Sequence, residues 1–209
     1  AVGVDPGRVH VIPHGAFDYL TRLPEERALA PELARVEGPV VLFFGLIRPY
    51  KGLDVLLDAW RGIDGAELWV VGPPRMDIET LRANAPPGVR FVSRFVPDAE
   101  LPALMRRADL VVLPYRAIDQ SGALFAALAF GRPLLLTDVG GFPEVAATGA
   151  ARLVPAESTG ALHDELVSLL ADAPARAALA AAAVAAAEGP YSWDAIGRRT
   201  LELYGALTR

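Results

Sequence analysis

A cationic turn, FFGLIRPYKG at residues 43–52, is the stretch whose residue types point most directly to chemistry. It follows an apolar run, precedes a helical pattern, and carries Arg48 and Lys51 shortly after Gly45. A helix N-terminus stabilises an anion by only about 0.3–1 kcal/mol at exposed sites, so a multiply charged anion also needs fixed cations. We therefore expect Lys51, with Arg48 as its helper, to bind phosphate. Two alternatives stay open: Lys51 as a solvated residue beside a turn glycine, and Arg48 paired with Asp54 or another acid.

A second turn, DQSGALFAALAFGRP at residues 119–133, also joins an apolar run to a helical pattern. Ser121 and Gly122 would open this helix with a hydroxyl and an unobstructed backbone, so that its free amides face an anion. Serine is also a favoured N-cap residue, and capping is compatible with anion binding. Asp119 and Gln120 are either donors and acceptors for sugar hydroxyls or ordinary turn residues. The two turns together predict a binding site for a diphosphate group.

Other polar residues fall in less specific patterns. Asp138, which precedes two glycines, either serves the ligand or only turns the chain, and Glu144 fits the first turn of a helix. His14, in a Pro-His-Gly loop, is a candidate ligand contact. We expect His10 in a strand or the core and His163 on a surface helix. Three dispersed histidines and no cysteine argue against a zinc site, and no metal is expected.

Composition excludes several functional classes. The 209 residues are 53% hydrophobic, which is enough for a core that buries roughly 70% of the unfolded surface. The net charge is −5 and the Lys and Arg residues are scattered, so a nucleic-acid or anionic membrane surface is not expected. The absence of cysteine excludes disulfides and thiol catalysis, and we expect a cytoplasmic protein. No transmembrane segment is expected, because the longest apolar run, residues 177–187, is too short to cross a bilayer.

The order of the apolar segments predicts a doubly wound α/β fold. Most of the apolar runs are continuous instead of alternating, which is typical of parallel strands covered on both faces. Helical patterns separate these runs, and only helical patterns follow the last of them. We thus expect one Rossmann-like domain, residues 1–209, with a parallel sheet of about six strands and residues 156–209 as a helical tail. The runs expected as strands are 9–12, 40–44, 68–71, 91–92 with its flanks, 110–113, 134–136 and 152–154, and the tail helices are 159–171, 175–188 and 193–207.

Such a sheet fixes where a ligand binds. Ligands of open parallel sheets bind beyond the carboxyl ends of the strands, because loops and helix N-termini converge there. The turns at 43–52 and 119–133 both follow strands, so we expect them to share this edge. The loops at Gly15, 95–97 and 138–141 are expected on the same edge.

Taken together, these segments resemble the C-terminal half of a retaining glycosyltransferase of the GT-B fold, in family four, the glycosyl transferases group 1. The resemblance covers nearly the whole chain, and its motifs are specific as a set. They are VHVIPHG at 9–15, FFGLIRPYKGLDVLLDAW at 43–60, ADLVVLPY at 108–115, ALAFGRPLLLTDVGGFPEV at 127–145 and YSWDAIGRRTLELYGAL at 191–207.

The resemblance implies a domain that binds a nucleoside diphosphate sugar as the donor for hexosyl transfer with retention of configuration, without a metal or other cofactor. Lys51 and Arg48 would neutralise the diphosphate beside Gly45. The amides of Ser121 and Gly122 would complete the site and stabilise the charge on the leaving group.

Other parts of the family's site are also implied. Backbone near Phe95 and Val96 would meet the nucleotide base. In this family a separate N-terminal domain binds the acceptor and generally supplies the catalytic histidine. The present sequence lacks that domain and begins like the middle of a protein, so we expect upstream sequence, an isolated chain that is inactive, and catalytic residues that stay unknown here.

The sequence departs from the family's pattern at three positions. Relatives usually carry two glutamates eight residues apart, the first contacting the sugar and the second the ribose. Those positions are Ile118 and Ala126, and neither side chain can accept a hydrogen bond. The usual arginine after the loop glycine is Leu46. Recognition of ribose and sugar must therefore differ, and Asp119 is a candidate substitute.

Three hypotheses follow. The first is the donor-binding half of a hexosyltransferase. The second is a non-catalytic sugar-nucleotide-binding or partner module that has lost the paired glutamates. The third is a nucleoside-diphosphate-sugar epimerase on the same scaffold, whose acid–base residues we do not find in this sequence. Turnover of a sugar nucleotide by the chain extended with its N-terminal domain distinguishes the first from the second.

Overall fold

A parallel sheet of six strands forms the centre of the protein, of which the computed structural model describes residues 3, 5–24 and 26–207. The strands lie in the order β3-β2-β1-β4-β5-β6, and every neighbouring pair is parallel. This confirms the predicted doubly wound sheet. The strands are β1 (Val40–Phe44), β2 (Glu67–Val71), β3 (Val89–Val92), β4 (Leu110–Leu113), β5 (Leu134–Thr137) and β6 (Ala151–Val154).

The central strands are apolar throughout because helices cover both faces of the sheet. Every residue of β4 and β5 is buried, and so are the first four residues of β1. The register pairs Val41 of β1 with Leu68 of β2 on one side and with Leu110 of β4 on the other. Continuous burial of this kind explains why these runs do not alternate between apolar and polar residues.

Eight helices connect and follow the strands within the described residues. The three tail helices lie close to their predicted positions. The last but one begins at Ala173 instead of Ala175, because the Asp172 carboxylate caps it by accepting from the Ala175 N–H at 2.8 Å. The helices are α1 (Leu53–Ala59), α2 (Glu79–Ala83), α3 (Leu101–Arg107), α4 (Gly122–Ala129), α5 (Phe142–Ala146), α6 (Thr159–Ala171), α7 (Ala173–Glu188) and α8 (Trp193–Leu207).

Helix α4 is more buried than a surface helix. Six of its eight residues are buried, and it packs against α7 and against a short 3-10 turn at Asp18–Arg22. A helix that is apolar on all sides belongs in the core. The N-terminus of α4 is therefore held in a fixed position at the carboxyl edge of the sheet.

The predicted first strand, residues 9–12, is wrong. This segment has no regular structure, Val9 and Val11 are exposed, and His10 is exposed instead of lying in a strand or the core. The chain that follows bonds to other segments instead of to the sheet: the Ala16 N–H donates to the carbonyl of Tyr191, in the turn between α7 and α8, at 2.8 Å, and the Phe17 N–H donates to the Phe125 carbonyl of α4 at 3.2 Å. An apolar run forms a strand only where a neighbouring strand edge is available to it.

The loops at the carboxyl edge pack backbone against backbone. Gly52 adopts a left-handed conformation (φ 66°), and a Cβ at this position would overlap the carbonyl oxygen of Pro114. Gly72 also has a positive φ (143°), and a Cβ at this position would overlap the carbonyl oxygen of Gly45. Glycine at these positions lets the loops after β1, β2 and β4 approach one another closely.

Among the described residues, no single helix is both long and apolar enough to cross a bilayer. Helices α6 and α7 meet the criteria of length and composition only as a pair, and they are bent by 97° at the break between them.

We expect Gly52→Ala to destabilise the protein by at least about 3 kcal/mol. The left-handed backbone costs a non-glycine residue about 1–2 kcal/mol, and displacing the Pro114 carbonyl adds to this. Gly62→Ala is the matched control, because Gly62 is also left-handed (φ 80°) but has no atom near the added Cβ, so it should cost only about 1–2 kcal/mol. Urea unfolding measures both. Equal losses of unfolding free energy in the two variants would show that the close packing of Gly52 against Pro114 does not contribute to stability.

Candidate functional site

Three polar side chains are buried in the part of the chain that the structure describes, and all three contact Tyr115. These are Lys51, Ser121 and Thr137, with 7%, 5% and 2% of their surface exposed. The Thr137 hydroxyl donates to the Tyr115 carbonyl at 2.6 Å, and the Tyr115 hydroxyl lies 3.4 Å from Ser121 Oγ. The Lys51 ammonium lies 4.9 Å from the centre of the Tyr115 ring. Tyr115, just beyond β4, thus joins the ends of three loops.

Lys51 is a buried cation that has no counter-charge in the part of the chain that the structure describes. It is the one lysine of the sequence, and its ammonium forms no hydrogen bond or ion pair within the described residues. Burial, and to a lesser extent the charge of Arg48, lower the pKa of Lys51 to about 8. The face of the Tyr115 ring offsets a part of this cost through a cation–π contact. A buried charge that is otherwise unpaired points to an anion that binds there.

Helix α4 begins as the sequence predicts. Ser121 is its N-cap, and its Oγ accepts from the Leu124 N–H at 3.4 Å. Gly122 is exposed at the first helical position. The first amides of a helix have no acceptor inside the helix, so those of Gly122 and Ala123 are available to a ligand.

Lys51 and the beginning of α4 face the same cavity, which has a volume of about 310 Å³ and is called the Lys51 cavity below. Gly45 also lines it, and a Cβ at Gly45 would come within 2.9 Å of the Lys51 ammonium, so glycine leaves room for the cation. The other lining residues are Phe17, Tyr19, Leu20, Phe44, Leu46, Asp98, Leu101, Gly122, Ala123 and Ala126. The structure therefore brings together Gly45, Lys51 and Gly122, as the sequence predicted.

Arg48 lies beside this cavity instead of lining it. Its side chain is exposed at the start of the 3-10 turn Pro49–Lys51, and it is near enough to Lys51 to lower the pKa of that residue. The alternative pairing of Arg48 with Asp54 is wrong, because the carboxylate of Asp54 binds Arg116 instead. Within the described residues Arg48 forms no ion pair.

Arg116 holds the cationic turn in place, a role that the sequence did not reveal. Its guanidinium donates to both carboxylate oxygens of Asp54, at 2.9 and 2.6 Å, to the Pro49 carbonyl at 2.7 Å and to Glu157 at 3.0 Å. Its backbone N–H donates to the Tyr50 carbonyl at 2.7 Å. These hydrogen bonds raise the pKa of Arg116 and lower that of Asp54. The loop after β4 thereby fixes the loop that carries Lys51.

Asp119 and Gln120 are not in the Lys51 cavity. Both are exposed and line a second cavity of about 230 Å³, which lies against a different face of α4 and is also lined by Gly141 and Glu144. The Asp119 carbonyl accepts from the Gly141 N–H at 3.3 Å. Glu144 occupies the first turn of α5, as expected.

Phe95 and Val96 do not line the Lys51 cavity either. Phe95 is 69% exposed, whereas Val96 is buried and lines a separate small cavity. The next turn of the chain contributes Asp98 instead, and the Tyr19 hydroxyl donates to Asp98 Oδ2 at 3.4 Å. Burial, together with the charge of Asp98, raises the pKa of Tyr19. Nothing in the sequence marked Tyr19 or Asp98, because 79 residues separate them.

The two positions at which relatives carry glutamate have different surroundings. Ala126 is buried in the wall of the Lys51 cavity, whereas Ile118 is half-buried and its carbonyl lies where a Cβ on Gly140 would fall. Asp138 is exposed and lines neither of the two cavities described above.

The remaining histidines serve packing and backbone contacts. His14 packs against the rings of Phe17, Phe125 and Trp193, with ring centres 5.0–5.2 Å away. His163 is half-buried instead of lying on the surface, because its Nδ1 contacts the Ala59 carbonyl of α1 at 2.8 Å.

Comparisons with known proteins agree with this geometry. The sequence profile of the family described as Glycosyl transferases group 1 matches residues 38–172. A phosphatidyl-myo-inositol mannosyltransferase of Mycobacterium leprae is 36% identical over 187 residues, which cover 84% of this chain and 49% of the relative. The structure of sucrose-phosphate synthase from Thermosynechococcus elongatus matches with a TM-score of 0.78 at 24% identity, covering 95% of this chain and 52% of that one.

A further solved structure, that of Anabaena HepE in complex with UDP-glucose, matches with a TM-score of 0.69 at 21% identity, covering 81% of this chain and 49% of that one. The chain thus spans about half the length of the relatives that it matches. The sheet and its helices have the architecture of the C-terminal half of a GT-B glycosyltransferase. Since the family profile covers well over half of the sequence, the chain belongs to the glycosyl transferases group 1 family.

Proposed function

We propose that this chain is the donor-binding half of a retaining hexosyltransferase and that the Lys51 cavity binds the diphosphate of a nucleoside diphosphate sugar. One observation carries the proposal: the buried Lys51 ammonium, which has no counter-charge among the described residues, faces the same cavity as the first amides of α4. Membership of the glycosyl transferases group 1 supports it. We further propose that the acceptor binds to a separate N-terminal domain and that the protein works in the cytoplasm.

The physical basis of the proposal is the cost of burying Lys51. A pKa lowered from 10.5 to about 8 means that the folded, ligand-free protein holds this proton less tightly than water-exposed lysine does. A diphosphate in the cavity would counteract this lowering of the pKa, because an anion next to the ammonium favours its charged form. Binding would therefore raise the pKa of Lys51 and take up a proton at alkaline pH.

The same groups would assist the transfer itself. When the bond between the anomeric carbon and the diphosphate oxygen breaks, the electron pair leaves with that oxygen. The negative charge therefore grows on the diphosphate during the reaction. A fixed ammonium and fixed helix amides stabilise this charge without reorganising. The anomeric carbon then forms a bond to a hydroxyl oxygen of the acceptor, and the proton of that hydroxyl passes to the departing diphosphate.

A second candidate function is a sugar-nucleotide-binding module without transferase activity. The absence of carboxylates at Ile118 and Ala126 favours it, because the usual hydrogen bonds to sugar and ribose cannot form there. The two candidates differ in turnover. We expect the chain joined to the proposed N-terminal domain to release a nucleoside diphosphate from at least one sugar in a panel of UDP-, GDP- and ADP-sugars. Tight binding of these donors without release would favour the module instead.

Lys51→Met tests the diphosphate site by removing the charge at similar volume. We expect its affinity for UDP, GDP and inorganic pyrophosphate to fall at least tenfold, which corresponds to about 1.4 kcal/mol. Arg61→Met is the control, because Arg61 lies on the surface and pairs with Asp58. Isothermal titration calorimetry measures both variants. Unchanged affinity in a folded Lys51→Met protein would contradict the proposed site.

The same variant should make the ligand-free protein more stable at pH 7. The folded-state pKa of Lys51 is below its unfolded value, so the folded state binds fewer protons between pH 8 and 10.5 and the wild type gains stability as the pH rises through this window. Below it, the buried charge costs up to about 3 kcal/mol. Urea unfolding should show Lys51→Met more stable by about 1–3 kcal/mol at pH 7, with the difference shrinking towards pH 10. A variant less stable than wild type at pH 7 would show that another group in the protein compensates the charge.

A further inference from the structure

Among the described residues, one acidic side chain, that of Asp98, lines the Lys51 cavity besides the basic side chain of Lys51. Asp98 belongs to the 3-10 turn Asp98–Glu100 that precedes α3, and its Oδ2 accepts the hydrogen bond from Tyr19. No ion pair joins Asp98 to Lys51, and Asp98 is not among the groups that shift the pKa of Lys51. The two charges therefore serve different parts of the cavity.

An ionised carboxylate is an unsuitable neighbour for a diphosphate, because both are anions and neither can donate a hydrogen bond. It is suited to hydroxyl groups, which donate to its two oxygens in short, charge-assisted hydrogen bonds. Oδ2 of Asp98 is bonded to Tyr19, whereas Oδ1 has no partner within the described residues. The Tyr19 phenol, whose pKa is raised, remains protonated and also offers an oxygen that accepts hydrogen bonds.

We propose that Asp98, oriented by Tyr19, binds the ribose hydroxyls of the nucleoside diphosphate. This inference rests on the proposed function, since it takes the diphosphate at Lys51 as given. Ribose is joined directly to the diphosphate and carries two adjacent hydroxyls, which match one carboxylate. A volume of about 310 Å³ is within the range of small-molecule pockets and accommodates both groups.

The wall of the cavity explains why a second element supplies this carboxylate. Ala126 of α4, at the position of the ribose-binding glutamate in relatives, presents only a methyl group to the cavity. Gly122 and Ala123 on the same helix are equally small. This side of the cavity therefore provides space but no hydrogen-bond acceptor on a side chain. Asp98 provides the acceptor from the turn before α3 instead.

Calorimetry with three kinds of probe tests the inference. These are UDP and GDP, their 2′,3′-dideoxy analogues, and inorganic pyrophosphate, each titrated into the wild-type chain, Asp98→Asn and Tyr19→Phe. We expect Asp98→Asn to weaken UDP or GDP binding about tenfold and Tyr19→Phe to weaken it about threefold. Pyrophosphate should bind Asp98→Asn as tightly as wild type or slightly more tightly. The dideoxy analogues should bind wild type and Asp98→Asn equally.

Asp58→Asn is the matched control, because Asp58 is an exposed aspartate on α1 that pairs with Arg61 at the surface. It should leave the affinity for every probe unchanged. Thermal melting of the Asp98→Asn protein should match that of wild type, since the side chain lies on an exposed turn.

The outcomes separate the ribose assignment from the proposed function. If Asp98→Asn leaves nucleotide affinity unchanged, or weakens pyrophosphate and nucleotides equally, the ribose assignment is overturned while the diphosphate site stands. Dideoxy analogues that bind wild type as tightly as the parent nucleotides would also overturn it. If the wild-type chain binds neither pyrophosphate nor nucleotides, the diphosphate site fails, and the ribose assignment fails with it.

Discussion

The ammonium of Lys51 is held in a largely buried position where no carboxylate among the described residues compensates its charge, and most features of the carboxyl edge follow from this constraint. A lysine side chain normally extends its ammonium into solvent. The surrounding structure must therefore hold the ammonium of Lys51 in its buried position. Gly45 leaves the space that the ammonium occupies, and Tyr115 offers it an aromatic face. The packing of the core offsets the unfavourable free energy of burying this charge.

Two structural features hold the backbone around Lys51 in place. Arg116 ties the turn that carries Lys51 to the loop after β4 through hydrogen bonds to Pro49 and Asp54. Helix α4, with six of eight residues buried, holds its free amides at the same edge. Because both features are parts of rigid elements, the cation and the amides are placed before any ligand arrives. Preorganisation of this kind makes electrostatic stabilisation effective, since no reorientation is needed during binding or reaction.

The strands and helices that depend on local sequence patterns could be predicted from those patterns. Continuous apolar runs identified the six strands, and the N-cap at Ser121 and the tail helices followed from helix signals. Residues 9–12 have the same apolar character but pair with no strand in the described part of the chain, which a single sequence cannot show. Lys51 and Ser121 could be placed together because the topology of a parallel sheet brings the ends of its strands to one edge.

Side-chain pairs between distant segments could not be predicted in this way. Tyr19 and Asp98 are 79 residues apart, and Asp54 and Arg116 are 62 apart. Neither pair leaves a periodic or spaced signal, since each depends on how two loops meet in space. The expectation that backbone near Phe95 and Val96 meets a base remains a prediction, although neither residue lines the Lys51 cavity.

The charge state of Lys51 can be observed directly, because the sequence contains no other lysine. NMR of protein labelled with ¹³C and ¹⁵N at lysine should therefore give a single side-chain titration. The account predicts a pKa of about 8 without ligand and a pKa at or above the ordinary value of 10.5 when pyrophosphate or a nucleoside diphosphate is bound. A ligand-free pKa near 10.5, or a titration that these ligands leave unchanged, would contradict it.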